Sequence, residues 1–270
     1  MSDSTVGSDA AYDATYAHFD SPLMRRLRSE AYGKDIAQHS WVTVEELDDL
    51  MPRLGVMTSG RLLDIGCGPG GPLTYLVGEL GCHGVGTDVS AEAVKAARSR
   101  ALTLGLGDRT SFHQADANEP AEFEDGSFDS VVALDVVLHL RDRAALFAEV
   151  ARVLKPAGRF YFTDAGVVTG PVSDEDIRLR SIHGFTQFAP PGFDERALEI
   201  AGLRLVDRID RTANLITNAS GRLAARIAHR DELADLEGDA AFVRQRSYLE
   251  TVVRLAERGA MSRVAFLAAR

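Results

Sequence analysis

The sequence predicts an α/β fold in which parallel strands alternate with helices. Strand-like and helix-like segments alternate from Leu54 through Ala165, as βαβ units do. An apolar segment that ends in Asp64 runs directly into a glycine-rich turn, and two later strand-like segments lead to Asp88 and Asp116. The carboxyl ends of parallel strands meet at one edge of a sheet, where α/β proteins bind ligands. We therefore expect the three carboxylates to lie together at a ligand site.

The glycine-rich turn spans residues 61–71, Arg-Leu-Leu-Asp-Ile-Gly-Cys-Gly-Pro-Gly-Gly. Its glycines have no Cβ to keep a ligand from the backbone, and they tolerate positive φ. A helix starting near Leu73 would present free N–H groups to a polar ligand. Dinucleotide-binding domains also use such a turn, but their spacing is Gly-x-Gly-x-x-Gly. Here the spacing is Gly-x-Gly-x-Gly-Gly. In addition, the segment around Asp116 would have no evident role in a nicotinamide site, so both observations argue against a dinucleotide cofactor.

The segments outside this alternation suggest a domain plan. Residues 1–11 are polar and are expected to form a disordered tail. Residues 12–58 predict an N-terminal helical cap interrupted at Ser21-Pro22 and Tyr32-Gly33, and residues 59–270 predict the core. A helix from Asp142 should stop at Lys155-Pro156. Strands are expected at 159–163, 203–209 and 262–268. The helical segment of about 211–259 is either a substrate cap or a layer that packs on the sheet or on a second copy.

Composition argues against several classes of protein. The formal charge of −10 disfavours a nucleic-acid partner, which would need a basic surface. The two cysteines, Cys67 and Cys82, predict neither a disulfide framework nor a metal site. No apolar run approaches the ~20 residues of a membrane span, and the N-terminus has no signal-peptide pattern. We expect a cytoplasmic protein with no membrane or nucleic-acid partner.

From about Gly60 onward the chain resembles class I S-adenosylmethionine-dependent methyltransferases of the small-molecule type. Residues 64–70, Asp-Ile-Gly-Cys-Gly-Pro-Gly, match the first motif of that family, and residues 125–139 and 152–158 match later blocks. Ala157 departs from the glycine usual there. The resemblance implies a seven-stranded, mostly parallel, doubly wound sheet whose last strand inserts antiparallel beside the fifth. It also implies S-adenosylmethionine as cofactor, S-adenosylhomocysteine as product, and a monomer or homodimer.

The resemblance also assigns roles at the cofactor. Asp88 would accept from both ribose hydroxyls, since a carboxylate can accept several hydrogen bonds. Asp116 would accept from the adenine amino group, and the backbone of the glycine turn would hold the methionine end. Leu134 and Asp135 would border the methyl group. The full set of expected cofactor residues is Trp41, Asp64, Gly66, Cys67, Gly68, Gly71, Asp88, Val89, Asp116, Ala117, Leu134 and His139.

His139 is the best candidate for a catalytic base, because the ordinary pKa of histidine suits proton transfer near neutral pH. The alternative is that it only packs near the cofactor. Asp135 and His183 are further catalytic candidates. Substrate contacts are expected from Tyr32 before the core, from Asp164 at the end of the fifth strand, and from the loop of about 166–193. The loop candidates are His183, Phe185, Gln187 and Phe188.

These expectations point to methyl transfer onto an oxygen, nitrogen or carbon nucleophile of a small, natural-product-like acceptor. Ala133-Leu-Asp-Val stands where amino-methylating nucleic-acid enzymes of this fold keep Asn-Pro-Pro-Tyr. The cysteines of arsenic methyltransferases and a tight magnesium cluster are also missing, so we expect no metal. Two alternatives stay open. One is an enzyme that uses the cofactor without methyl transfer, such as a decarboxylase or cyclase, and the other is a non-catalytic binding module.

Overall fold

The computed structural model describes residue 13 and residues 15–119, 122–182 and 184–270. Its centre is a seven-stranded sheet. The strands are β1 (Arg61–Ile65), β2 (His83–Asp88), β3 (Thr110–Gln114), β4 (Phe128–Leu134), β5 (Leu154–Val168), β6 (Arg204–Asp210) and β7 (Met261–Ala269). The strand order is β3-β2-β1-β4-β5-β7-β6. The first five strands are parallel, and β7 runs antiparallel between β5 and β6. The predicted fold class is confirmed.

Ten helices of the described chain surround this sheet. They are α1 (Pro22–Tyr32), α2 (Val44–Leu54), α3 (Gly71–Leu80), α4 (Ala91–Thr103), α5 (Arg143–Val153), α6 (Asp174–Arg180), α7 (Phe193–Ile200), α8 (Thr212–Ala228), α9 (Arg230–Glu237) and α10 (Asp239–Glu257). A short 3-10 turn, Val137–His139, follows β4. No described helix has the length and apolar character needed to cross a bilayer.

Capping residues set the ends of several helices. The Ser21 side chain accepts a hydrogen bond from the Met24 amide at 3.3 Å and starts α1, which ends at Gly33 with a φ of 73°. Asp142 caps α5 in the same way through the Ala145 amide at 2.9 Å, as an N-cap carboxylate should. The chain passes from α5 directly into β5 at Leu154. The strand expected at 159–163 is thus the middle of a longer one.

The helices between β6 and β7 pack on those that precede β1. Gly221 of α8 approaches α1 so closely that a Cβ there would lie 2.6 Å from the Ala31 carbonyl oxygen. A larger residue at 221 would force the two helices apart, so this contact sets the spacing of the cap. The domain boundaries at residues 58 and 59 and at 211–259 stay predictions. The expected tail of residues 1–11 lies outside the described residues.

Candidate active site

A cavity of about 160 Å³ lies at the carboxyl edge of β1, β2 and β4, under the cap. We call it the cofactor cavity. Almost all the residues expected at a cofactor converge on it. Those that line it are Trp41, Asp64, Gly66, Cys67, Gly68, Asp88, Val89, Asp116, Ala117, Leu134 and His139, and the catalytic candidate Asp135 lines it too. Gly71 does not, because it faces the backbone of Ile36 and Ala37, which a Cβ would overlap.

Asp88 fixes the glycine-rich turn to the end of β2. One carboxylate oxygen accepts from the Gly68 amide at 2.8 Å and the other from the Ser90 amide at 2.9 Å. Burial raises the pKa of Asp88, and these two hydrogen bonds oppose that rise. Each oxygen has further lone pairs, so Asp88 can still accept from a pair of ligand hydroxyls. This geometry suits a ribose.

Asp64 is almost fully buried behind the same turn, with 2% of its surface exposed. Burial raises its pKa well above the ordinary value, and the negative charge of Asp88 adds to the effect. A cation in the cavity would favour the ionised form and lower this pKa again. The site is therefore electrostatically suited to a positively charged ligand.

The turn itself is built for close approach. Gly66 has a φ of 68°, and a Cβ there would lie 2.8 Å from a methyl group of Val136. Gly68 has a φ of 53°, and its hypothetical Cβ would lie 3.2 Å from the Tyr16 hydroxyl. Left-handed backbone and crowded surroundings both require glycine at these positions. The exposed backbone of the turn thus forms one wall of the cavity.

Asp116 and Asn118 add further polar groups to the lining of the cavity. The Asp116 carboxylate accepts hydrogen bonds from the Asn118 backbone at 2.9 Å and from the Asn118 side chain at 2.8 Å. Asn118 in turn accepts from the Arg141 amide at 2.9 Å. The buried Ser40 hydroxyl also lines the cavity, with no hydrogen-bond partner among the described residues. Buried polar atoms are usually bonded, so Ser40 favours a polar ligand.

Asp135 joins the sheet to the cap at the end of β4. Its φ is 60°, and its carboxylate accepts hydrogen bonds from three groups at 2.8 Å each. The donors are the Trp41 amide, the Thr163 hydroxyl and the Arg263 guanidinium. The Asn218 side chain donates to the Trp41 carbonyl. The Trp41 backbone is thus held from two sides, and these bonds suit Asp135 to positioning the cap.

His139 lines the cavity at the end of the 3-10 turn. Its Nδ1 lies 3.2 Å from the Phe185 carbonyl oxygen. A carbonyl can only accept, so Nδ1 carries the proton and Nε2 is the basic nitrogen of the neutral ring. Burial lowers the pKa of His139, although the bond to Phe185 opposes this effect. The ring is therefore neutral, and able to accept a proton, at neutral pH.

Residues 63–162 match the family described as "Methyltransferase domain". The chain is 34% identical over 169 residues to the methyltransferase GfsG of Streptomyces halstedii, with 60% of this chain and 59% of that one covered.

This segment of the chain is therefore similar to a methyltransferase domain.

Two solved structures show the same fold over nearly all of the chain. The cyclopropane synthase MmaA2 of Mycobacterium tuberculosis has a TM-score of 0.81 at 19% identity, with 97% of this chain and 98% of that one covered. Phosphoethanolamine N-methyltransferase 2 of Haemonchus contortus, in complex with S-adenosylhomocysteine, has a TM-score of 0.80 at 22% identity. There the coverage is 98% of this chain and 60% of that one. The chain spans 38–59% of the length of four curated relatives it matches.

None of the five expected substrate residues that the structure describes lines the cofactor cavity. Asp164 is buried and pairs with Arg143 at 2.6 Å. Gln187 bonds through its backbone to Leu138 at 2.7 Å and to Arg143 at 2.6 Å. The others are Tyr32, whose hydroxyl donates to the Ser40 carbonyl, Phe185, which lies 5.1 Å from the Arg141 guanidinium, and Phe188, which lies 5.9 Å from that of Arg180. His183 lies outside the described residues.

Sequence reasoning missed a buried ion-pair network beside the cofactor cavity. Arg263 of β7 is fully buried, donates to both oxygens of Glu46 at 2.8 and 3.0 Å, and bonds to Asp135. An arginine inside the largely apolar segment 261–269 was the available signal, because a buried guanidinium requires partners. Among the described residues, no group of three or more acidic, histidine or cysteine side chains could hold a metal ion.

Proposed function

We propose that this protein transfers the methyl group of S-adenosylmethionine to an oxygen, nitrogen or carbon nucleophile of a small organic acceptor. The observation that carries the proposal is the convergence of Asp64, Asp88 and Asp116 with the glycine-rich turn on one cavity. The matched methyltransferase domain supports it. So does the structural neighbour that was solved with S-adenosylhomocysteine.

The residues of the cofactor cavity fit this cofactor. Asp88 would accept from the two ribose hydroxyls, and Asp116 from the adenine amino group. The glycine turn and Ser40 offer polar groups to the methionine end, and the buried Asp64 favours its positive charge. When bound, S-adenosylmethionine supplies a methyl group made electrophilic by the sulfonium sulfur that carries it.

The remaining task of the protein is to orient the acceptor and accept its proton. An acceptor hydroxyl or amine must lose a proton as its new bond to carbon forms. We assign that proton to Nε2 of His139, which is basic in the neutral ring. The cap covers the cavity with Trp41 and Tyr248, whose rings stack at 6.2 Å, and this cover would exclude water.

The proposal also includes the setting of the enzyme. We propose a cytoplasmic monomer or homodimer that acts on a small-molecule acceptor. Cys67 and Cys82 are buried free thiols among the described residues, as expected of a protein in a reducing compartment.

Calorimetric titration with S-adenosylmethionine tests the proposal, with NAD as the competing ligand. We expect S-adenosylmethionine to bind and NAD not to bind. Asp88→Asn should weaken binding about tenfold to a hundredfold, since hydrogen bonds to charged groups contribute about 1.5–3 kcal/mol. Asp108 is exposed and lines no cavity, so Asp108→Asn is the matched control for the lost charge.

Binding of NAD, or unchanged affinity in Asp88→Asn, would contradict the assignment of the cofactor. Formation of S-adenosylhomocysteine in the presence of an acceptor then distinguishes methyl transfer from use of the cofactor in a decarboxylase or cyclase. Melting temperatures of both variants confirm that they are folded.

A further inference from the structure

A second cavity lies between α1 and α8, beside the cofactor cavity. We call it the cap cavity. Phe19, Leu27 and Ala225 give it an apolar wall. Two residues, His39 and Arg222, line both cavities. The two cavities therefore adjoin at these side chains, and a molecule in the cap cavity would lie against Arg222.

The cap cavity carries positive charge. Three arginines line it, Arg28, Arg222 and Arg226, and no described carboxylate does. Arg28 is neutralised by Asp35 at 2.9 Å, and Arg226 pairs with Glu237. Arg222 forms no ion pair with any residue that the structure describes. One uncompensated guanidinium thus stands where the two cavities meet.

Neighbouring aromatic side chains hold Arg222 in place. Its guanidinium lies 4.7 Å from the centre of the Trp41 ring, a distance typical of cation–π contacts. Burial raises the pKa of the Tyr32 hydroxyl, and the nearby charge of Arg222 opposes that rise. Arg222 itself is half-buried. A fixed and partly desolvated guanidinium binds an anion more strongly than a mobile surface arginine does.

The two cavities have opposite electrostatic character. Four carboxylates line the cofactor cavity, those of Asp64, Asp88, Asp116 and Asp135, and Arg222 is its only arginine among the described residues. We propose that the acceptor carries an anionic group, a carboxylate or a phosphate, which Arg222 binds at the junction of the cavities. The apolar part of the acceptor then occupies the cap cavity. This inference rests on the proposed function and names the acceptor class.

A panel of matched probes tests the proposal on the full chain with saturating S-adenosylhomocysteine. The acids are 4-hydroxycinnamate, 4-phenylbutyrate and decanoate, each compared with its neutral amide, and 4-phenylbutyl phosphate provides the phosphate arm. Calorimetry gives the affinity ratio of each acid to its amide. We expect at least one acid to bind about tenfold tighter than its amide, as a charge-assisted hydrogen bond should provide.

Three variants test whether Arg222 causes the preference for acids over amides. Arg222→Gln should bring the ratio to about one, whereas Arg222→Lys, which keeps the charge, should retain part of it. Arg244 lies exposed on α10 and lines neither cavity. Arg244→Gln therefore removes the same charge from the cap and should leave the ratio unchanged. Comparing the affinities of 4-phenylbutyl phosphate and 4-phenylbutyrate shows whether Arg222 prefers a phosphate or a carboxylate.

The inference would be overturned if the wild-type protein showed no preference for acids over amides, or bound none of the probes. It would also be overturned if the preference for acids persisted in Arg222→Gln. The binding of S-adenosylhomocysteine is measured separately. A protein that binds it without preferring acids keeps the proposed function and loses this inference. A protein that fails to bind it loses the proposed function itself.

Discussion

Two regions of the molecule are held by contacts between residues at very different separations along the sequence. One is the carboxyl edge of the sheet, with Asp88 and Asp116, which we call the edge, and the other is the helical cap. At the edge, Asp88 bonds to Gly68, 20 residues away, and to Ser90, two residues away. Asp116 bonds within its own turn. The cap is held by Arg263 of β7, which reaches Glu46 over 217 residues, and by Asn218, which reaches Trp41 over 177. The edge is therefore assembled by neighbouring βα units, whereas the cap depends on the complete fold.

The largest expected effect comes from breaking the long-range network. Arg263→Leu would leave the carboxylate of Glu46 buried without its cation and would remove one partner of Asp135. Loss of one member of a buried ion pair costs about 3–5 kcal/mol. We expect urea unfolding to report a loss of stability of that order, accompanied by weaker cofactor binding because Trp41 depends on Asp135.

The matched control is Arg204→Leu. Arg204 is exposed on β6, and its side chain forms no ion pair within the described chain. Its replacement should change the free energy of unfolding by less than about 0.5 kcal/mol, as at most surface positions. If both variants lose the same small amount, the network does not hold the cap to the sheet.

The second largest effect is expected at His139. This residue follows β4 at the edge, and its ring is held by the Phe185 carbonyl in the loop after β5. His139→Gln removes the basic nitrogen, so turnover should fall about a hundredfold, within the usual range for a lost general base. The affinity for S-adenosylmethionine should fall much less. Because burial lowers the pKa of His139, wild-type turnover should rise with pH through a value below about 6.5 and then level off.

Steady-state rates of S-adenosylhomocysteine formation across pH check this prediction. His113→Gln is the control, since His113 is exposed on β3 and lines no cavity. Unchanged turnover in His139→Gln, or a pH profile that survives the substitution, would assign His139 to packing.

A third effect separates backbone strain from crowding in the glycine-rich turn. Gly66 and Gly105 both have a φ of 68°, but only at Gly66 would a Cβ meet another side chain, that of Val136. Alanine should cost about 1–2 kcal/mol at either position because of the left-handed backbone. Only Gly66→Ala should cost about 1–3 kcal/mol more and weaken cofactor binding.

Thermal unfolding and cofactor titration of both variants measure the difference. Equal stability losses with equal cofactor affinity would mean that Val136 moves aside freely. In that case the turn needs glycine for its backbone alone.

The sequence predicted the edge well because its residues follow from strand order. Asp64 lies one residue before the end of β1 and Asp88 ends β2, and the parallel pairing of these two strands brings their carboxyl ends together. Asp164 shows the limit of this reasoning. Thr163 bonds to Asp135, whereas Asp164 points to the other face of the sheet and meets Arg143, because side chains alternate along a strand. The expected position of Asp164 at the end of the fifth strand was wrong, since β5 continues to Val168, and the face of the sheet that its side chain takes was not predictable.

The cap was less predictable because amphipathic helices do not specify their partners. Arg222 and Arg244 both lie on helices of the insertion, and only the packing of α8 against α1 brings Arg222 to a cavity. Similarly, Arg263 differs from other arginines only in its apolar surroundings along the chain. Helical periodicity identifies a buried face, but the facing element comes from the tertiary fold.

The smallest expected effect is a dependence of the cap on pH. His229, at the junction of α8 and α9, lies 3.0 Å from Glu30 of α1 and 3.1 Å from Glu232 of α9. Hydrogen bonds to these two carboxylates raise its pKa, and the charge of Arg26 opposes them. The protonated ring therefore stabilises the cap fully below about pH 6.5. That contribution is lost as pH rises through the raised pKa of the folded protein.

Melting temperatures of the wild-type protein and His229→Gln, compared at about pH 6 and about pH 9, test this dependence. The wild type should be the more stable by about 1 °C at the lower pH only, since exposed ion pairs contribute little. His83→Gln, which replaces an exposed histidine on β2, should show no such change. A pH-independent difference for His229→Gln would mean that packing, and not charge, joins α1 to the insertion.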